Sequence, residues 1–228
     1  MLFDLIAAPA LALQLASATT SCPLMPKPRI IVEQKPVEVY VDKSLSASAI
    51  AKLQQARIPK INAAYRHSGA ITESQVKVSP KIEYRVKTNA TGQVCFAIRD
   101  IRLEMTPIST VFIAWEHPVN SCMSTALWQH ELNHVQANIQ SVQIGQQILA
   151  KVARKSAIHA GVVGPVSRQA MFDSDKATKA RIAQDLKIAV ANIDQQRGLI
   201  ADGIDTVKTY QKLSTLCPDR KIAVETKK

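Results

Sequence analysis

The chain has little of what several protein classes require. Only 4% of its 228 residues are aromatic and 7 are glycine. Basic residues are scattered, and neither a helix-turn-helix nor a zinc-knuckle pattern occurs. The net charge of +11 therefore reads as a solvated basic surface, and no nucleic-acid partner is expected. Such a surface also favours contact with acidic envelope polymers or anionic lipids. There is no internal repeat and no low-complexity tract. The leading apolar run, residues 5–15, is too short for a comfortable membrane span, so no stable membrane insertion is expected. None of the four cysteines (Cys22, Cys95, Cys122 and Cys217) sits in a C-x-x-C pair, which argues against a structural zinc or thioredoxin-like site. Residues 132–172 contain no Asp or Glu.

The leading run ends in Ala16-Ser17-Ala18, an A-x-A cleavage pattern, but the segment before it carries Asp4 and no Lys or Arg. Residues 1–21 read as an imperfect or truncated secretion signal, with a buried N-terminal helix as the alternative. An even cysteine count in an exported chain predicts two disulfides and a secreted or periplasmic location. The preferred pairing of the three possible is Cys95–Cys122 with Cys22–Cys217. The first would tie a central strand to the start of a long helix.

The length suits a single domain over residues 29–228, after a proline-rich linker at 22–28. Apolar and polar residues alternate over 29–41 and predict strand. Residues 44–67 read as a helix that Pro59 interrupts. Three strands are predicted next: 75–88 with Pro80 as a break or edge, 93–105, and 109–115 beyond Pro107. Residues 123–159 and 167–213 read as two long helices joined by a turn at 161–165. The second carries an apolar stripe of Ile182, Leu186, Ala189, Ile193, Ile200, Ile204 and Val207. The expected fold class is α+β: a small antiparallel sheet (about 29–118) with one N-terminal helix, then a long antiparallel helical hairpin (about 121–214) carrying a metal site.

That site rests on His130-Glu131-Leu132-Asn133-His134, an H-E-x-x-H pattern. Histidines four apart on a helix are about one turn apart and point to one side, where both imidazoles can hold one Zn²⁺. Glu131 beside them can take a proton from water, as in a zinc-dependent peptidase. The nearest helix breakers are Pro118 and Gly145, and Ser121 or Ser124 can cap the helix start.

A catalytic zinc needs a third protein ligand. No H-x-x-G-x-x-H extension is present, and the acid-free stretch excludes a nearby glutamate. His159 lies about 37 Å from His134 along an unbroken helix and cannot reach. Equal lengths counted back from the end of the first helix and forward from Ser167 place Asp194 level with His130 and His134. Asp185 and Asp202 fall about two turns off. Asp194 is therefore the expected third ligand, with His117 second. Arg197, Tyr210 and His117 remain open as donors to a transition-state oxyanion. The strand over 110–115, if a sheet edge, could align an extended peptide.

Cys95, the H-E-x-x-H helix and a downstream aspartate together resemble an uncharacterised bacterial family of predicted secreted zinc-dependent proteases. In that family a second motif centres on an aspartate followed by threonine, histidine and glycine. The resemblance covers about half the chain, and no histidine follows Asp194 here. It implies a secreted zinc metallopeptidase acting on a peptide or protein substrate, with His130, His134 and Asp194 on Zn²⁺ and Glu131 as general base. The competing expectation is a non-catalytic envelope or interaction module with a structural or vestigial metal site.

Overall fold

A computed structural model describes residues 21–57, 69–89 and 91–217. Nearly all of the expected leader, the helix continuation over 58–67 and the Lys227-Lys228 end lie outside the described residues. Two long strands, β3 (Ala70–Thr88) and β4 (Val94–Ile113), pair antiparallel along their whole length. Asn89 closes the expected turn between them, its Oδ1 accepting from the N–H groups of Thr91 and Gln93. The other flank of β4 carries three short strands end to end. β5 (Val162–Val166) pairs antiparallel at the start of β4, β1 (Arg29–Gln34) parallel at its middle, and β2 (Glu38–Asp42) parallel at its end.

The expected antiparallel sheet is therefore corrected. The sheet is mixed, because both N-terminal strands run parallel to β4. β4 is also one strand where a break at Pro107 was expected. Pro107 falls between the positions paired with β1, which end at Met105, and those paired with β2, which begin at Ile108. A residue without an N–H is tolerated in that gap. Pro80 interrupts nothing either, because β3 has no strand on its outer side among the described residues, and proline is accepted on an edge. The 110–115 segment is no edge: its first three residues pair with β2 and with β3.

After α1 (Ala47–Arg57) and the sheet comes α2 (Cys122–Ala160). Ser121 caps it, its Oγ accepting from Ser124 N at 3.1 Å, and Gly161 ends it. The expected helical hairpin, closed by a short turn, is corrected too. The chain leaves α2, joins the sheet as β5, and only then enters α3 (Arg168–Ile204), so α2 and α3 are separate elements. The second helix also breaks at Asp205-Thr206, and a short α4 (Val207–Leu216) succeeds it.

Alternation along β4 sends Ile101, Leu103 and Met105 into the main core, where they meet Val142 and Leu149 of α2 and Ile182, Leu186 and Ile193 of α3. Asn138 pins α2 to the sheet: its Nδ2 donates to Ile108 O at 3.1 Å and to Ser109 Oγ at 3.0 Å. Gly145 lets α3 approach closely, because a Cβ there would lie 2.6 Å from Ile193 Cδ1. Gly145→Val should accordingly cost about 1–3 kcal/mol by overpacking. Urea denaturation would check this, and unchanged stability would contradict the close approach.

The four cysteines form two disulfides, Cys22–Cys95 and Cys122–Cys217. The expected pairing is corrected for a geometric reason. β4 runs unbroken from Val94 to Ile113 and carries Cys95 on the order of 60 Å from the end that leads to Cys122. Disulfides of this kind persist in oxidising compartments. No helix among the described residues is long and apolar enough to cross a membrane.

Candidate metal centre

His130, Glu131 and His134 lie two to three turns into α2, on the side that meets the end of α3 and the start of α4. His130 and Glu131 are 4% and 2% exposed, so these polar groups are deep rather than on a solvated flank. His130 Nε2 and His134 Nε2 each lie 3.1 Å from the same oxygen, Asp205 Oδ1. Asp205 is the C-cap residue of α3, and Thr206 behind it caps α4, its Oγ1 accepting from Thr209 N. One turn into α4, the Tyr210 hydroxyl donates to Asp205 Oδ1 at 2.9 Å. On the sheet side, Thr72 of β3 donates its hydroxyl to Glu131 Oε2 at 2.7 Å.

Among the described residues, His130, His134 and Asp205 offer three ligand atoms within 4.8 Å of one another and could hold a metal ion. The donors fit one. A tetrahedral ion with arms of about 2.0–2.2 Å sets neighbouring donors roughly 3.3–3.6 Å apart, a few tenths of an ångström more than the 3.1 Å from each imidazole to Asp205. Two imidazoles and one carboxylate also suit a divalent first-row metal. His130 Nδ1 is buried without a hydrogen-bond partner among the described residues, so packing rather than a second hydrogen bond orients this ring. The rings of His134 and Tyr210, with centroids 5.1 and 5.7 Å away, supply that packing.

The electrostatics arise from burial and these contacts. Burial pushes the Glu131 carboxyl upward, partly opposed by the two histidines and the Thr72 hydroxyl. Burial works to lower His134, but the hydrogen bond and charge of Asp205 outweigh it and the net shift is upward. Asp205 moves the other way. Burial would raise it, yet hydrogen bonds from His130, His134 and Tyr210 hold it far below the usual carboxylate range. Tyr210 is pushed up, by burial first and then by the carboxylate it faces.

The structure brings His130, Glu131 and His134 together as their spacing implies. It does not bring Asp194 to them. Asp194 instead pairs with Arg197, Oδ1 to Nη1 at 3.0 Å. His117 is outside the group as well; its ring packs against Gly69. Asp194 lies away from the histidines because β5 intervenes between the two helices and displaces α3 along α2. The residues that lie level are Gly145 with Ile193 and Ser156 with Asp185, a shift of roughly three to four turns from the assumed register. Asp205 then comes opposite His134. One feature of the sequence marks it: Gly203 and Thr206, on either side, are helix-stop and helix-start residues. Thr72 carries no comparable mark.

No protein-family model, no curated protein and no solved structure matches the chain.

Proposed function

We propose that the protein is a secreted or periplasmic zinc metallopeptidase whose metal ligands are His130, His134 and Asp205 and whose general base is Glu131. The observation that carries this reading is the convergence of both imidazoles on one Asp205 oxygen, with the Glu131 carboxylate on the next residue of the same helix. Three protein donors leave a tetrahedral ion one open position, the pattern of catalytic rather than structural sites. Zinc bound there would lower the pKa of water and polarise the scissile carbonyl.

The chain supplies the rest. Glu131 takes the proton of the attacking water and delivers it to the leaving amine. Thr72 holds one Glu131 oxygen, which fixes the carboxylate beside the ligand group. Burial raises the basicity of that carboxylate, which suits the task. Of the three donors left open by the sequence, Tyr210 is the one at the ligand group, and its hydroxyl can turn to the developing oxyanion of the amide. The outer edge of β3 borders a cleft beside His134 at Thr72 to Gln75, and an extended peptide can add to it as a strand. The two disulfides support an exported protein.

The test is hydrolysis of a mixed peptide library by zinc-loaded protein. Glu131→Gln should lower the rate by about a hundredfold or more while zinc still binds. Equal rates in both proteins, or no cleavage by a fully zinc-loaded wild type, would favour the non-catalytic envelope module.

A further inference from the structure

Beside the candidate metal centre lies a cleft of about 490 Å³ bordered by His134, the β3 edge and one face of α3. On that face Asp194, Arg197, Gly198 and Ala201 recur at three- and four-residue steps, and the same stripe ends at Asp205. The apolar stripe of α3 is buried only as far as Ile193, so the cleft begins where the core contact stops. Gly198 and Ala201 keep this wall low; a Cβ at Gly198 would meet nothing within 4 Å.

Arg197 is the cationic side chain of this wall, and it is only 18% exposed. Its one partner among the described residues is Asp194, which reaches Nη1 at 3.0 Å. Nη1 and Asp194 Oδ1 are both buried, and neither completes a hydrogen bond among the described residues, so the two are held as a charge pair. An arginine has five N–H donors arranged as forks that match a carboxylate in two parallel bonds. Asp194 therefore holds the guanidinium by charge from one side and leaves its hydrogen-bonding capacity unmet, while the exposed part of Arg197 lines the cleft. Burial lowers the Arg197 pKa against the pull of Asp194, so a second anion would recover solvation that one carboxylate leaves unmet.

We propose that Arg197 is a specificity-determining residue that anchors a carboxylate of the peptide substrate, with Asp194 as the residue that orients it. This rests on the peptidase reading above. Arg197 lies eight residues from Asp205, about 12 Å along the helix axis. An extended peptide advances about 3.3 Å per residue, so the anchored carboxylate sits roughly two to four residues from the scissile amide. It can belong to a chain end or to an Asp or Glu side chain, and the chemistry at Arg197 is the same.

The experiment measures binding rather than turnover. Short dansyl-labelled alanine peptides are titrated by fluorescence anisotropy in three forms: a free C-terminal carboxylate, a C-terminal amide, and an amide with one internal Asp. They are tested against zinc-loaded Glu131→Gln protein and against metal-free wild type. At least one carboxylate form should bind about tenfold or more tightly than the plain amide in both proteins. Which form does so names the source of the carboxylate. Arg197→Gln should remove the preference with zinc affinity intact, and Arg197→Lys should retain part of it. Equal affinity for all three forms, no binding of any, or a preference that survives Arg197→Gln would overturn the proposal. So would a preference that vanishes when zinc is removed, since the metal would then be the anchor. Failure of the metallopeptidase reading looks different: zinc does not bind, while the carboxylate preference of the metal-free protein remains.

Discussion

Asp205→Asn should weaken zinc binding by about 3–4 kcal/mol, a loss on the order of 10²–10³-fold. The size comes from dividing a total of about 10–16 kcal/mol for a protein zinc site among about four ligands. Asparagine keeps the shape and the Tyr210 hydrogen bond but removes the negative charge on which both imidazoles converge. Asp194→Asn should leave zinc affinity within about threefold of wild type, because Asp194 pairs with Arg197 and lies outside the ligand group. Competition titration with a chromophoric chelator measures both. Equal losses in the two variants would mean that Asp205 is not the ligand.

Reduction or removal of the Cys122–Cys217 bridge should destabilise the fold and loosen the metal together. The bridge spans 95 residues, for which loop closure predicts about 4–5 kcal/mol. Its placement adds a second effect. Cys122 opens the helix that carries His130 and His134, and Cys217 ends the helix that begins just beyond Asp205. Disulfide and metal therefore clasp the same two segments, and each lowers the cost of the other. The Cys122→Ser, Cys217→Ser double variant should bind zinc about tenfold or more weakly, while bound zinc should slow reduction of the wild-type bridge. Cys22→Ser with Cys95→Ser is the control. That bridge spans 73 residues and ties the far end of β4, so its loss should cost similar stability with zinc affinity little changed. Equal changes in zinc affinity for both double variants would contradict the coupling.

Local features of this chain were readable from its sequence, and long-range placement was not. Helical period, a serine cap and a glycine stop fixed α2 within a residue or two, and the one-turn spacing of His130 and His134 brought their Nε2 atoms together. Strand alternation marked the segments of β1 through β4, though β1 and β2 read as one strand over 29–41 and β4 as two, and whether a strand runs parallel or antiparallel depends on a partner far along the chain. The parallel pairing of β1 and β2 with β4 had no local mark. Pro107 misled because its effect depends on what lies opposite, and it stands at a gap. The segment Val162–Val166 contains Gly164 and Pro165, so it reads as a turn; only its pairing with β4 makes it a strand. That one crossing moved α3 by several turns and replaced Asp194 with Asp205 as the residue facing the histidines.

The central claim is that His130, His134 and Asp205 hold one zinc ion. The most direct measurement is zinc content by mass spectrometry, combined with X-ray absorption at the zinc edge, on the disulfide-bonded protein equilibrated with zinc. The expected result is one zinc per chain in a sulfur-free shell with two imidazole nitrogens, all donors at about 2.0–2.2 Å. Loss of that zinc is expected in His130→Ala and Asp205→Ala, and its retention in Asp194→Ala. A protein that takes up no zinc, or zinc that stays in place when Asp205 is removed, would contradict the claim.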